Sequence, residues 1–282
     1  TSIDGGTASS AAAVQNTVEL ATAGKTVVVE NTYTRDTHSL TVTKDVTWNS
    51  TYSQAPNEND TFTFEVVIGS GASLEKQTVS GNSVTYAGGT TGAKYEFTLN
   101  DNGAFTVSGV PYGYAYMVEE TSKTNGNRGT YGAAKYTVGS STGTASVSGS
   151  MGTANISVGV ENPYFKSKTT SFTVNKDWAQ GGREAASVTV QLKQGTSNYK
   201  NAETLSSTNS WTKTWADLPL YYQDTQGSYL PYTYSVEETG VAGATLKDGR
   251  FMLYGTAQAT EAPTDEAHEV IGCWVATKEE NS

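Results

Sequence analysis

The stretch ENTYTRDTHSLTVTKDVTW, Glu30 to Trp48, returns later in the chain as ENPYFKSKTTSFTVNKDW, Glu161 to Trp178. Each copy holds Glu-Asn-x-Tyr, a short spacer, and then an apolar-Thr-Val-x-Lys-Asp run. Asn31 and Asn162 lie 131 positions apart, and Lys44 and Lys176 lie 132 apart. A phrase that keeps its phase over that distance marks a domain period. It spans a junction: the last strand of one domain, a linker, and the first strand of the next.

Around that phrase, the 282 residues accommodate two domains of ordinary size and a remnant. Seventeen tyrosines, 29 glycines, only six prolines and many threonines and valines favour β structure throughout. No window sustains the 3.6-residue apolar period of a helix, and SSAAAVQNTVELA (Ser9 to Ala21) reads as loop and strand. Residues 1–35 are expected to be the C-terminal remnant of a preceding β domain, carrying a strand pair in NTVELA and KTVVVENTY. Residues 36–165 and 166–282 read as two complete domains of short alternating strands between turns such as Asn102-Gly103. The fold class is therefore all-β, with sandwiches rather than βαβ units.

Charge and composition exclude several functions. The net charge is −10 with scattered basic residues, which argues against nucleic acid and anionic membranes as partners. The single cysteine, Cys273, rules out an internal disulfide and reads by parity as a small core residue. His38 and His268 are the only histidines, too few for a Ser/His/Asp triad or a histidine metal site. No carboxylate group has calcium-loop spacing, so no metal and no cofactor is expected. Neither a signal peptide, a transmembrane run nor a wall-sorting motif is present, so an exported protein would contain this chain as a fragment. Most tyrosines and tryptophans read as packing residues, with Trp211 and Trp215 the candidates for a carbohydrate platform.

Alternate residues of a strand share a face. Leu40, Val42, Lys44, Val46 and Trp48 share one, which sets the lysine in an apolar row. Phe172, Val174, Lys176 and Trp178 repeat the pattern. Glu120 shares a face with Tyr114, Tyr116 and Val118, and Glu238 with Tyr232, Tyr234 and Val236. Asn162 follows Ile156, Val158 and Val160, as Asn31 follows Val27 and Val29. Because each glutamate follows another, a one-residue slip would turn Glu119 or Glu237 inward instead.

A buried lysine and a buried glutamate are costly unless paired or neutralised. Burial lowers the lysine pKa and raises that of the glutamate, so both drift toward neutral forms. A neutral amine is a nucleophile, and a protonated carboxyl donates to an amide oxygen and shuttles protons. An asparagine carboxamide against that amine completes a set able to form a Lys–Asn isopeptide bond with loss of ammonia.

The phrases VTKDVTW…YMVEET…VENPY and VNKDW…REAASVTVQL…WTKTWADLP…YSVEET resemble the CNA-B-type and backbone-pilin domains of Gram-positive surface proteins and sortase-assembled pili. The resemblance implies tandem immunoglobulin-like β-sandwiches of the reverse-Ig, transthyretin-like kind. It implies Lys44 as amine, Glu120 as catalytic acid and Asn162 as acceptor, with Lys176 and Glu238 as the second amine and acid. The second acceptor aligns most naturally at Thr277, which cannot form the bond; Asn281 is the alternative. Glu238 to Asn281 is 43 residues, against 42 from Glu120 to Asn162. Asn31 would be an acceptor whose lysine precedes residue 1.

The function so implied is a stalk or pilus-shaft segment, extracellular and cell-wall-anchored, whose partners are neighbouring domains or subunits of a surface fibre. The alternative is an adhesin module binding a host matrix protein or glycan. Any chemistry would be single-turnover and internal, not conventional enzymatic catalysis.

Overall fold

A computed structural model describes residues 2–3, 27–28, 30–124, 129–180, 183–254 and 270–274. These residues are almost entirely strands and turns, and the chain divides into two compact units. The first comprises Thr1–Asp45, Asn59–Thr124 and Ala133–Asn162; the second comprises Val46–Glu58, Asn125–Gly132 and Pro163–Ser282.

The first unit is a sandwich of two sheets. One runs in the order Ser141–Gly143, Lys135–Val138, Ile156–Phe165, Thr37–Thr47, Ala104–Pro111 and Ser83–Thr85. The first and last long strands of the domain, Thr37–Thr47 and Ile156–Phe165, are thus hydrogen-bonded neighbours. The other sheet runs Val147–Ser150, Ala115–Lys123, Phe62–Ile68, Ala93–Leu99 and Lys76–Thr78. Strict alternation builds the core: in THSLTVTKDVT, Leu40, Val42, Lys44 and Val46 are buried while Asp45 is exposed. Phe97 of one sheet stacks on Phe105 of the other with ring centres 3.8 Å apart, an offset contact that seals the two layers. The turn between these strands works because Asn102 accepts a left-handed φ of 61°, which asparagine tolerates better than most residues.

In the second unit Val188–Gln194 is central, pairing with Tyr234–Val241, Glu203–Leu205 and Ser197–Asn198. Thr169–Asn175 pairs with Thr212–Pro219, and Tyr221–Gln223 with Tyr229–Pro231. Val188, Val190, Leu192, Leu205, Trp215, Leu218 and Phe251 form its buried core, against which Phe172, Val174, Trp178 and Trp211 pack half-buried. Thr245–Lys247, Arg250–Tyr254 and Val270–Trp274 form a further small sheet.

Val27–Val28 pairs with Ser2–Ile3, and the NTVELA run expected to form a strand there lies outside the described residues. Two expectations are corrected. Asn31 is exposed and outside any strand, so it does not occupy the inward face assigned to it by parity. Cys273 is exposed on the strand Val270–Trp274, so it is not a core residue.

Candidate functional site

Three strands of the first unit bring Lys44, Glu120 and Asn162 to the sandwich interior. Lys44 is 2% exposed and Asn162 is 0% exposed, on adjacent strands of one sheet. Glu120 enters from Ala115–Lys123 in the opposite sheet, with its side chain 4% exposed. The Asn162 carboxamide Nδ2 donates to Glu120 Oε1 at 3.1 Å. The Lys44 amine lies 4.0 Å from the centre of the Phe62 ring and donates to the carbonyl of Asp45.

Electrostatics follow from that burial. Desolvation lowers the Lys44 pKa to about 8, with Glu120, Asp101 and Asp45 opposing the shift. Desolvation likewise raises that of Glu120, against the hydrogen bond from Asn162 and the charges of Lys44 and Lys123. Glu120 Oε2 has no hydrogen-bond partner among the described residues. A buried carboxyl with one oxygen on the carboxamide nitrogen and the other unfilled is suited to carry a proton rather than to hold a permanent charge.

A β-bulge aims the glutamate. Thr63 pairs with Ser122 and Phe64 with Glu120, so Thr121 has no opposite residue. The Thr121 hydroxyl donates to the Thr63 carbonyl at 3.3 Å. The second unit repeats the device: Thr189 pairs with Gly240 and Val190 with Glu238, and the extra residue Thr239 donates to the Thr189 carbonyl at 3.4 Å. Parity identified which glutamates turn inward. In the second unit the bulge also shifts the phase, so that Val241 is buried at the opposite parity to Val236 and Glu238. The Glu-Glu-Thr repeat marks the same place in both units.

Lys176 and Glu238 also meet, through a direct ion pair of 3.1 Å between Lys176 Nζ and Glu238 Oε2. The amine sits 4.5 Å from the centre of the Trp178 ring, which packs edge-on against Trp211. Glu238 Oε1 has no hydrogen-bond partner among the described residues. The neighbouring Glu237 faces outward, 2.8 Å from Lys193. Asn281 and Thr277 lie outside the described residues.

Residues 172–252, which contain both members of this pair, match the family model of the Cna protein B-type domain. The second domain is of the Cna B type. Residues 38–164 match a second family model, a domain of unknown function designated DUF7601. Among solved structures, the pilus-presented adhesin Cpa is 25% identical over 45% of this chain and 27% of its own, with a TM-score of 0.29. An adhesin from Mobiluncus mulieris is 20% identical over 46% of this chain and 42% of its own, with a TM-score of 0.30. A single B repeat unit of the collagen-binding surface protein of Staphylococcus aureus is 19% identical over 74% of this chain and 90% of its own, with a TM-score of 0.23. The aligned part thus spans well under half the length of the first two. No curated protein matches.

The two tryptophans of the second unit singled out as a carbohydrate platform do not share an exposed surface: Trp215 is buried in the core, and Trp211 is half-buried beside Trp178. The open aromatic surface of the second unit lies elsewhere, in a cleft of about 930 Å³ lined by Trp48, Tyr164, Lys166, Tyr221, Tyr222 and Tyr229 among others. Trp48 is 40% exposed and Tyr222 is 38% exposed, so Trp48 departs from the inward row that ends at Val46. Sequence reading missed this cleft because its walls come from four separated stretches of chain, 47–50, 129–132, 163–167 and 219–232.

Among the described residues no cluster of three or more histidine, cysteine, aspartate or glutamate side chains is placed to hold a metal ion. No helix among them is long and apolar enough to cross a membrane.

Proposed function

We propose that the first domain forms an intramolecular isopeptide bond between Lys44 and Asn162, and that the chain is a stalk or shaft segment of a bacterial cell-surface protein. The observation that carries this reading is the buried Glu120 carboxyl bonded to the Asn162 carboxamide, with the Lys44 amine buried on the neighbouring strand. The neutral Lys44 amine attacks the Asn162 carbonyl carbon. Glu120 takes a proton from the amine and delivers one to the departing nitrogen. A C–N bond to lysine forms, the C–N bond to the carboxamide nitrogen breaks, ammonia leaves, and the glutamate returns to its starting state. Burial supplies proximity, a partly neutral amine and exclusion of water. In the second domain Lys176, Glu238 and Asn281 take the same roles.

A covalent tie between the first and last strands of a domain suits load-bearing. Tension entering at one strand and leaving by its neighbour bypasses the β ladders. That favours a secreted, surface-anchored fibre whose partners are neighbouring domains or subunits. The decisive comparison is the denatured intact mass of the wild type and of Glu120→Ala. Relative to the mass calculated from its own sequence, the wild type should lack one ammonia more than Glu120→Ala does; equal deficits would sink the reading of the first domain.

The aromatic cleft favours a second reading, an adhesin module for a glycan. Flat aromatic faces, with Gln223 and Lys166 among the polar groups on the wall, match a saccharide's apolar ring faces and hydroxyls. Binding to immobilised glycans that Tyr222→Ala abolishes would support it, and binding unchanged by that variant would reject it.

A further inference from the structure

Glu120 is held at a second point, through its backbone. Its N–H donates to the Tyr136 hydroxyl oxygen at 2.6 Å. Tyr136 is fully buried and lies on Lys135–Val138, where it pairs opposite Val160 of the asparagine-bearing strand. Asn162 is two residues past Val160, on the same face. The phenol therefore starts beside the acceptor strand in one sheet and ends on the backbone of the acid in the other.

Local structure explains why Glu120 takes an acceptor from outside its sheet. It sits beside the bulge at Thr121, where the ladder with Phe62–Ile68 is interrupted. Its other neighbour, Val147–Ser150, pairs no further along than Val118. A buried N–H at such a place needs a partner, and a side-chain oxygen from the opposite sheet supplies it.

We infer that Tyr136 is a positioning residue for isopeptide formation, its hydroxyl fixing the Glu120 backbone so that the carboxyl stays on the Asn162 leaving nitrogen. The inference rests on the Lys44–Glu120–Asn162 reading above. Burial raises the Tyr136 pKa, against the hydrogen bond from the Glu120 N–H, so the phenol stays neutral. A neutral acceptor can hold the backbone without placing a charge beside the carboxyl. Proton transfer depends steeply on such geometry: a shift of about 1 Å costs on the order of a hundredfold in rate.

The test is the rate of ammonia loss by the full chain, followed by timed intact mass after arrested cell-free synthesis and a chase from about pH 6 to about pH 9. The groups facing Glu120 are Lys44, Lys123 on its own strand, and Tyr136; Lys44 in turn faces Asp45 and Asp101. Tyr136→Phe keeps the ring and removes the acceptor. It should slow bond formation roughly tenfold to a hundredfold. The alkaline fall of its rate profile should also move to lower pH, because a looser, better hydrated carboxyl loses its proton earlier. Val107→Ala, a core variant away from the site, should keep the wild-type rate and profile in its folded fraction.

If Tyr136→Phe does not fold, 3-fluorotyrosine placed at position 136 keeps ring and hydroxyl while weakening the oxygen as an acceptor. It should slow the reaction severalfold. A wild-type rate and profile in the folded variant would overturn the positioning role while leaving the bond itself intact. A wild type that loses no ammonia at any pH would overturn the underlying reading, and the inference with it.

Discussion

Lys44 and Lys176 occupy the same phrase of sequence and meet glutamates aimed by the same bulge, yet their surroundings differ. Lys44 is sealed in the core, with an asparagine bridging toward its glutamate and an amine pKa lowered to about 8. Lys176 is half-buried and ion-paired directly with Glu238 at 3.1 Å. The difference lies in burial and in what bridges the partners. A Lys-Asp phrase and an inward glutamate bring two partners together in both units; deeper burial is what favours the neutral, nucleophilic form of an amine.

Removing the acceptor should produce the largest effect. Asn162→Ala should end ammonia loss from the first domain. It should also lower stability by about 4–5 kcal/mol, by analogy with a disulfide closing the 118-position loop from Lys44 to Asn162. Differential scanning calorimetry reads the drop directly. An unchanged melting temperature would mean that no covalent loop existed.

The next effect isolates the buried amine. Lys44→Met also loses the bond but replaces the ammonium with an apolar chain of similar shape. It should therefore be more stable than Asn162→Ala at neutral pH, by up to about 3 kcal/mol. The same term sets a pH dependence. With its folded pKa lowered to about 8 from 10.5, Lys44 in Asn162→Ala binds its proton less readily when folded. The unfolded chain then holds more protons between those values, and stability should rise with pH across that window. Glu120 has the opposite sign: its raised pKa makes stability fall as the pH climbs above the ordinary carboxylate value. Urea titrations of both variants at a series of pH values check the ordering and the slope.

A smaller effect sharpens the contrast at the second site. If Asn281 accepts a bond at the second site, Lys176→Met should restore one ammonia to the denatured intact mass; an unchanged deficit would leave Lys176 and Glu238 as an ion pair alone. The smallest expected change is at the bulges. Thr121→Val and Thr239→Val each remove one hydroxyl bond to a backbone carbonyl, worth about 1 kcal/mol. Thr121→Val should also slow ammonia loss, since the bulge turns Glu120 toward Asn162.

Much of this was legible in the sequence because period-two alternation is a direct record of which face is buried. The row Leu40, Val42, Lys44, Val46 reads straight into the core, and so do Val158, Val160 and Asn162. What alternation cannot encode is where a strand stops obeying it. Trp48 continues the row by parity but lies past the end of Thr37–Thr47, and it is open to solvent. Asn31 has the spacing of an acceptor without a strand to bury it. The role of Tyr136 was hidden for another reason. An aromatic on an inward face is ordinarily packing, and its hydroxyl gains meaning only when the opposite sheet places an N–H 2.6 Å away.

Tandem mass spectrometry of the proteolysed, denatured wild-type chain tests the central claim most directly. The account predicts one branched peptide in which the Lys44 side chain is joined to the Asn162 side chain, lighter by one ammonia than its two parts. Recovery of separate peptides with a free Lys44 amine and an intact Asn162 carboxamide would contradict it.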